Sequence, residues 1–522
     1  MFRRALNHGM WMSFLAAVCV AGQSGVIAQT GERSTITFNA RHPESALERL
    51  VSRLRWRSDS FEAYDIAKQT YELYVPADYD SDAPYGLIVW VSPSDSGRPP
   101  ENWLSRFDQH RLIWVGADRS GNKQPLNRRF GLALDAAYNM PRRFHIDRNR
   151  LYIAGLSGGG RVSSILAISY PEVYQGGMYI VGCNYYKQFP TLKDPNKYWP
   201  ALFHPPAGPL LRLAKRSGRY VFLTGEHDGN RDQTLTYYKA YKADGFTHAT
   251  YFEVPGMGHT YPPADWLEQG IEALDEPLAS LAAVLIEHAE QAVKNQQWGR
   301  ALDGYQRARQ YAKDQTIVQH AAQQAQALLA RRDDAADAAI RLVKSGDRQA
   351  SSRALQEVVN TYGWYAGKDV LAAMTKTGVE IEIPTFEDPD ERSQLVEAAH
   401  RQRRNHTAEE ALKRALGVLK EDVAEGYRRL LKVSKRYRGT EVGRRAQRRL
   451  RALLKEKGVR EAIAKARRLE NAEQQLKLAE AYLASGRRDL AREPVLVILQ
   501  EYADTPSAER ARALAVELGI EP

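Results

Sequence analysis

Between about residues 70 and 275 the chain alternates short apolar runs with amphipathic stretches, and turn residues stand at the joins. The apolar runs are 71–75, 86–91, 112–116, 151–155, 178–182, 220–225 and 250–254. Residues 128–143, 158–169, 231–243 and 264–274 instead space their apolar side chains at helical intervals. Such β-α alternation predicts a mostly parallel sheet with helices on both faces. The full chain, 522 residues and 43% hydrophobic, has enough apolar material for that core and for at least one further domain.

After about residue 278 the strand pattern stops and Ala, Leu, Arg, Gln and Glu dominate, which predicts an all-helical region. Tyr437, Thr440, Gly443, Ala446 and Leu450 return at the same offsets as Tyr502, Thr505, Ala508, Ala511 and Ala515. Tyr362, Tyr365 and Leu371 echo them more faintly. The segment Leu478, Ala479, Tyr482, Gly486, Ala491 and Pro506 resembles a tetratricopeptide helix pair, where small residues let two helices approach. The expected organisation is therefore an extension at 29–69, an α/β domain at 70–277, a tetratricopeptide-like helical region at 278–375, a linker at 376–392 and a basic helical repeat region at 393–522.

Charge is concentrated. Residues 401–470 hold 23 Lys and Arg against 9 Asp and Glu, an excess larger than the net +11 of the whole chain. Tandem arginines such as Arg444-Arg445 and Arg448-Arg449 recur at helical spacing, so a basic face is expected that could dock an anionic polymer or a protein partner. Nucleic acid is not expected as a partner, because no binding module is recognisable.

At the N-terminus, Arg3, Arg4 and His8 precede an apolar stretch at 10–21 and then Val26-Ile27-Ala28. This is the layout of a cleavable signal over 1–28, and it predicts export with no transmembrane span left after its removal. Cys19 would leave with it, and Cys183 alone forms no internal disulfide.

Gly155-Leu156-Ser157-Gly158-Gly159 places a serine between an apolar run and a helix. This G-x-S-x-G pattern suits a tight strand-to-helix turn that exposes the hydroxyl above the sheet. A serine hydroxyl needs a base, and the base needs an orienting carboxylate, in the chain order Ser, acid, His for such an architecture. Gly225-Glu226-His227-Asp228 follows one late run, and Gly256-Met257-Gly258-His259 follows the next. The expected catalytic set is Ser157, Asp228 and His259, with Asp232 and Glu226 as competing acids. For a developing oxyanion, Gly158 N–H is the expected first donor and Ser94 the second, since Pro93 beside it has no N–H. Asn122, on the loop after 112–116, should border the site.

Taken with Tyr74-Val75-Pro76, Ile146-Asp147-Arg148 and Tyr170-Pro171-Glu172-Val173, these motifs make residues 70–275 resemble the α/β-hydrolase superfamily, in particular its esterase and polyhydroxybutyrate-depolymerase-like branch. The resemblance implies an α/β-hydrolase fold and puts Ser157, Asp228 and His259 in the nucleophile, acid and base positions. Two departures stand out: the early loop lacks the His-Gly of that branch, and Gly160-Arg161 replaces a small or apolar pair.

For substrate, the segment 184–211 is rich in aromatic residues. It reads either as a cap, with Tyr185, Tyr186 and Trp199 stacking on a sugar or aromatic ester, or as a packed loop. No metal-ligand spacing or phosphate loop is present, so neither a metal nor a cofactor is expected. The expected function is hydrolysis of carboxylic esters, including esters carried on a polysaccharide. Two alternatives stand beside it: a scaffold with an idle hydrolase domain, and a serine peptidase of the same fold.

Overall fold

The computed structural model describes residues 30–520 apart from 56–61, 195, 378–382, 385 and 387–388. The expected signal segment 1–28 lies outside the described residues, as does part of the expected linker at 376–392. The chain divides into two compact units, 1–399 and 400–522.

The strands are β1 (Arg33–Thr37), β2 (Thr70–Tyr74), β3 (Tyr85–Val91), β4 (Leu112–Ala117), β5 (Ile146–Leu156), β6 (Gly176–Ile180), β7 (Phe189–Pro190), β8 (Tyr198–Trp199), β9 (Arg219–Gly225) and β10 (His248–Val254). Eight form one sheet in the order β1-β2-β4-β3-β5-β6-β9-β10, and β7 and β8 pair as a small separate ribbon. β2 pairs antiparallel with β1 and β4, and all other neighbours in the large sheet run parallel. Helices Leu126–Asn139, Gly158–Ser169, Gly208–Ser217 and Arg231–Ala243 lie in crossovers between strands, and Ala264–Asp275 follows the last strand. This is an α/β-hydrolase fold, followed by an all-helical region.

The pleat explains the two-sided core. In β3 every residue is buried: Leu87, Val89 and Val91 enter one core and Ile88 and Trp90 the other. Alternate side chains point to opposite faces, so an unbroken apolar run is the signature of a strand covered by helices on both sides. The sheet begins earlier than the sequence indicated. β1 lies inside the stretch marked off as an extension at 29–69, paired with β2 from Arg33↔Tyr74 to Thr37↔Thr70. Its sequence, RSTIT, is mostly polar because it is an edge strand with one neighbour.

In the first unit the helices Ala282–Lys294, Trp298–Tyr311, Gln315–Ser345, Arg348–Tyr362 and Lys368–Thr377 follow the sheet. Asp314 and Asp347 start two of them by accepting the N–H groups of Thr316 (2.8 Å) and Ala350 (2.9 Å). These helices pack on the end of the sheet where β3 and β5 begin. Gln306 and Gln310 donate to the carbonyls of Asp82 and Pro84, Arg332 binds the Asp82 carboxylate through two nitrogens at 2.7 Å, and Tyr311 OH meets Asp147. The first helices are therefore built onto the sheet rather than tethered to it.

In the second unit the internal repeat has a structural basis. Tyr437 and Tyr502 each end a helix, and each carbonyl accepts both the N–H and the hydroxyl of a threonine, Thr440 or Thr505, that opens the next helix. Ala446, Leu450, Ala508, Ala511 and Ala515 are buried at the expected positions. The tandem arginines do not make a free basic face: Arg444 and Arg448 pair with Glu441, Arg445 with Glu409 and Arg449 with Glu456. No helix among the described residues is long and apolar enough to cross a membrane.

Candidate active site

Ser157 stands between β5 and the helix Gly158–Ser169 with φ 55° and ψ −117°, a left-handed conformation that costs a non-glycine residue energy. Its own N–H is fixed to the Ile180 carbonyl at 2.8 Å. The turn closes only because Gly159 is bare: a Cβ there would stand 1.9 Å from the Val91 carbonyl oxygen at the end of β3. The helix start leaves Gly158 N–H without an intrahelical acceptor and places the positive end of the helix dipole at the serine.

Two loops at the carboxyl ends of β9 and β10 meet this turn. Asp228, with its side chain fully buried, accepts from Thr224 Oγ1 (2.7 Å) on one oxygen and from Asn230 N–H (3.1 Å) on the other. That second oxygen also takes the Nδ1–H of His259 at 2.7 Å, and His259 Nε2 lies 2.8 Å from Ser157 Oγ. A carboxylate on Nδ1 leaves Nε2 as the acceptor, so the serine hydroxyl is the donor in the last bond. The competing acids lie elsewhere: Glu226 accepts Gly256 N–H at 2.9 Å, and Asp232 sits beside Arg231 at 3.8 Å. The histidine loop is held on both flanks. His227 N–H donates to the Met257 carbonyl (2.9 Å), Trp103 Nε1 donates to that of Pro262 (3.2 Å), and Tyr261 stacks on Trp90. His259 itself is 44% exposed, so the reacting pair opens to solvent.

The Gly160-Arg161 departure has a geometric purpose that spacing alone could not show. A Cβ on Gly160 would come within 2.3 Å of the Gly182 carbonyl, so glycine lets the helix lie against the end of β6. From the next position Arg161 reaches four acceptors: the Cys183 carbonyl (3.1 Å), Asn184 Oδ1 (3.1 Å), Asn230 Oδ1 (3.2 Å) and Gln233 Oε1 (2.7 Å). It ties the serine's helix to the loop that carries Asp228. Cys183 is buried, and burial pushes its thiol up to about 12, so it is a packing residue.

Three expectations about the rim need revision or placement. Ser94 is exposed, and its N–H turns back to Ser92 Oγ at 3.1 Å, so it does not present that N–H toward Gly158. A side-chain oxygen two residues earlier captured the donor, as serine does in turns. Tyr185 is not a stacking platform: it is buried between Tyr237 and Tyr241, and its hydroxyl donates to Asp244 at 2.6 Å. Tyr186 donates to the same carboxylate at 2.7 Å, and Trp199 packs edge-on against Tyr237. The aromatic segment thus anchors itself to the core, and its exposed large apolar residues are Leu192, Tyr198 and Leu202. Asn122 does border the site, with its side-chain amide against Gly158.

For metal, His110, Glu268 and Glu272 bring ligand atoms within 4.8 Å of one another. Glu268 is already engaged on both oxygens, by Arg106 at 3.2 Å on one and by Gln109 (2.6 Å) and His110 (3.2 Å) on the other. A cation there would have to displace a guanidinium.

Comparison with protein-family models and with curated proteins gives no match. Solved structures match over about half of the chain. An S-formylglutathione hydrolase from Staphylococcus aureus is 17% identical, covering 48% of this chain and 98% of its own, with a TM-score of 0.32. A feruloyl esterase module from Clostridium thermocellum, complexed with sinapinate, is 11% identical over 47% of this chain and 88% of its own, with a TM-score of 0.34. A dipeptidyl-aminopeptidase-IV-like protein from Bacteroides ovatus is 18% identical over 47% of this chain and 35% of its own, with a TM-score of 0.31.

Proposed function

We propose that this chain is an exported serine hydrolase that cleaves carboxylic esters through an acyl-enzyme, and that its helical region docks it on an anionic partner. One observation carries the catalytic part: Ser157 Oγ, His259 and Asp228 are joined by hydrogen bonds of 2.8 and 2.7 Å at a strained strand-to-helix turn. The export part rests on the signal-like sequence at 1–28, and the docking part on the basic excess over 401–470.

In this reading His259 Nε2 takes the proton from Ser157 Oγ as the oxygen attacks the ester carbonyl carbon. Buried Asp228 holds the ring in the required tautomer and stabilises the imidazolium. The negative charge that forms on the carbonyl oxygen meets Gly158 N–H at the helix start. Collapse expels the alcohol, which receives the proton from His259, and a water activated by the same ring then releases the acid.

The test is Ser157→Ala assayed on nitrophenyl esters of rising acyl length, beside fluorophosphonate labelling of the folded wild type. Turnover and labelling in the wild type, both lost in the variant, are expected. Activity that survives in Ser157→Ala ends the assignment. A folded wild type that neither turns over nor labels favours the scaffold reading, and faster cleavage of a matched dipeptidyl amide than of the ester favours a peptidase.

A further inference from the structure

We infer that the side-chain amide of Asn122 is the second donor to the oxyanion, in place of a main-chain N–H from the loop after β3. The inference rests on the hydrolase reading above and goes beyond it by assigning a further catalytic residue. Three observations converge. The main-chain donors expected after β3 are removed, since Pro93 has none and Ser94 N–H is turned to Ser92 Oγ. The Asn122 amide lies against the first donor's residue: a Cβ on Gly158 would stand 2.0 Å from Asn122 Oδ1 and 3.0 Å from Nδ2. And that amide makes no hydrogen bond among the described residues, so a rotation about its last side-chain torsion brings Nδ2 to an acceptor beside Gly158 N–H without breaking anything.

The loop that carries Asn122 is built rigidly, as a preorganised donor requires. Asn122 N–H donates to the Pro93 carbonyl at 2.9 Å, Arg119 N–H to that of Asp95 at 2.8 Å, and Gly121 N–H to Asp95 Oδ1 at 3.0 Å. Beneath both loops, buried Arg129 donates to the carbonyls of Ser120 (2.7 Å) and Ser92 (3.0 Å). Burial pulls this guanidinium's pKa down to about 10, still far enough above neutrality to keep the clamp charged. None of these bonds engages the side-chain amide of Asn122. Glycine at 158 is then required for a reason beyond the helix: any side chain there would fill the space the amide occupies.

The experiment compares wild type, Asn122→Ala, the nearly isosteric Asn122→Asp, and Lys123→Ala as an exposed neighbour on the same loop. Each is measured for kcat and KM on a short-chain nitrophenyl ester, for affinity toward a trifluoromethyl ketone that forms a tetrahedral adduct on serine, and for thermal midpoint. Loss of one oxyanion donor lowers kcat by about 10²- to 10³-fold. Both Asn122 variants should lose about that much, with KM changed only a few-fold and with ketone affinity falling in parallel. A merely structural role would weaken substrate and ketone binding alike. Should Asn122→Ala keep kcat within about threefold while Ser157→Ala is dead, the Asn122 assignment falls and the hydrolase reading stands. A wild type without turnover overturns both.

Discussion

The nucleophile turn makes a quantitative demand at Gly159, and Gly159→Ala exposes it. The new Cβ would stand 1.9 Å from the Val91 carbonyl oxygen, 2.8 Å from its carbon and 3.3 Å from the Ser92 carbon. Contacts under 3.0 Å are essentially never seen for real side-chain carbons, and the obstacle is main chain on both sides, so one backbone must retreat by roughly 1 Å. Either Ser157 sinks with its helix or the loop beginning at Ser92 is pushed outward, and that loop is bonded to the one that carries Asn122. A displacement of about 1 Å at a reacting centre costs on the order of 10²-fold in rate, and overpacking of this kind costs about 1–3 kcal/mol of stability. The assay is kcat/KM on a nitrophenyl ester together with a denaturant midpoint. Gly229→Ala is the matched control: it sits next to Asp228, yet its Cβ would meet no atom within 4 Å. The expected result is about a hundredfold loss and a lowered midpoint for Gly159→Ala, against near-wild-type behaviour for Gly229→Ala. If the two variants behave alike, the close approach of β3 to the turn is not what aims the serine.

Asp228→Asn should lower kcat by about 10⁴-fold with little loss of fold, because an amide cannot satisfy Thr224, Asn230 and His259 Nδ1–H as acceptor to all three; a loss below tenfold on the same ester would place the acid elsewhere. Stability should depend on pH through His42, whose Nδ1 accepts Glu44 N–H at 2.9 Å and whose pKa burial, then Arg142, lowers from 6.5 to about 4. Its folded pKa is depressed, so the unfolded chain binds the proton first: this contribution is complete above about 6.5 and drains as pH falls toward 4. His42→Gln should flatten the thermal-midpoint curve over that window, and an unchanged slope would refute the assignment. In the second unit, Arg414, Lys432 and Arg436 line a cleft beside Tyr437 and make no salt bridge among the described residues. Neutralising these three in the full chain should reduce salt-sensitive retention on an immobilised polyanion more than neutralising the paired Arg444, Arg445, Arg448 and Arg449 does. The opposite ranking would return the binding face to the tandem arginines.

What could be read in advance follows from the range of the interactions involved. The strands of the large sheet from β2 onward and the order Ser157, Asp228, His259 were legible because each depends on a local pattern: an unbroken apolar run, or glycines at a turn that nothing bulkier can enter. The β1 edge was not, since RSTIT buries too little on its own to stand out from a loop and becomes a strand through its pairing with β2. Tyr185 and Tyr186 show the same limit from the other side. A run of aromatic residues reads identically whether the rings await a sugar or are already packed, as Tyr185 is against Tyr237 and Tyr241, and the position of Asp244 separates the two.

Charge behaves likewise. A composition of 23 basic residues against 9 acidic ones counts ions, whereas attraction for a partner depends on which remain unpaired, and Glu409, Glu441 and Glu456 hold four of the arginines. The oxyanion site combines all of these limits in one place. Ser94 reads as a donor because Pro93 is excluded, but its N–H goes to a hydroxyl two residues away, and the donor we propose in its place sits on the loop after β4, which is bonded to the β3 loop. A short contact therefore decided which group was unavailable, and a long-range one decided which group stood in its place. Substituting Ser92 separates the two effects: Ser92→Ala frees the Ser94 N–H, and if that N–H then turns toward Gly158, activity lost in Asn122→Ala should be partly restored in the double variant. Failure of that rescue, with both single variants folded, would mean that the β3 loop lies out of reach of the oxyanion whatever its own bonding.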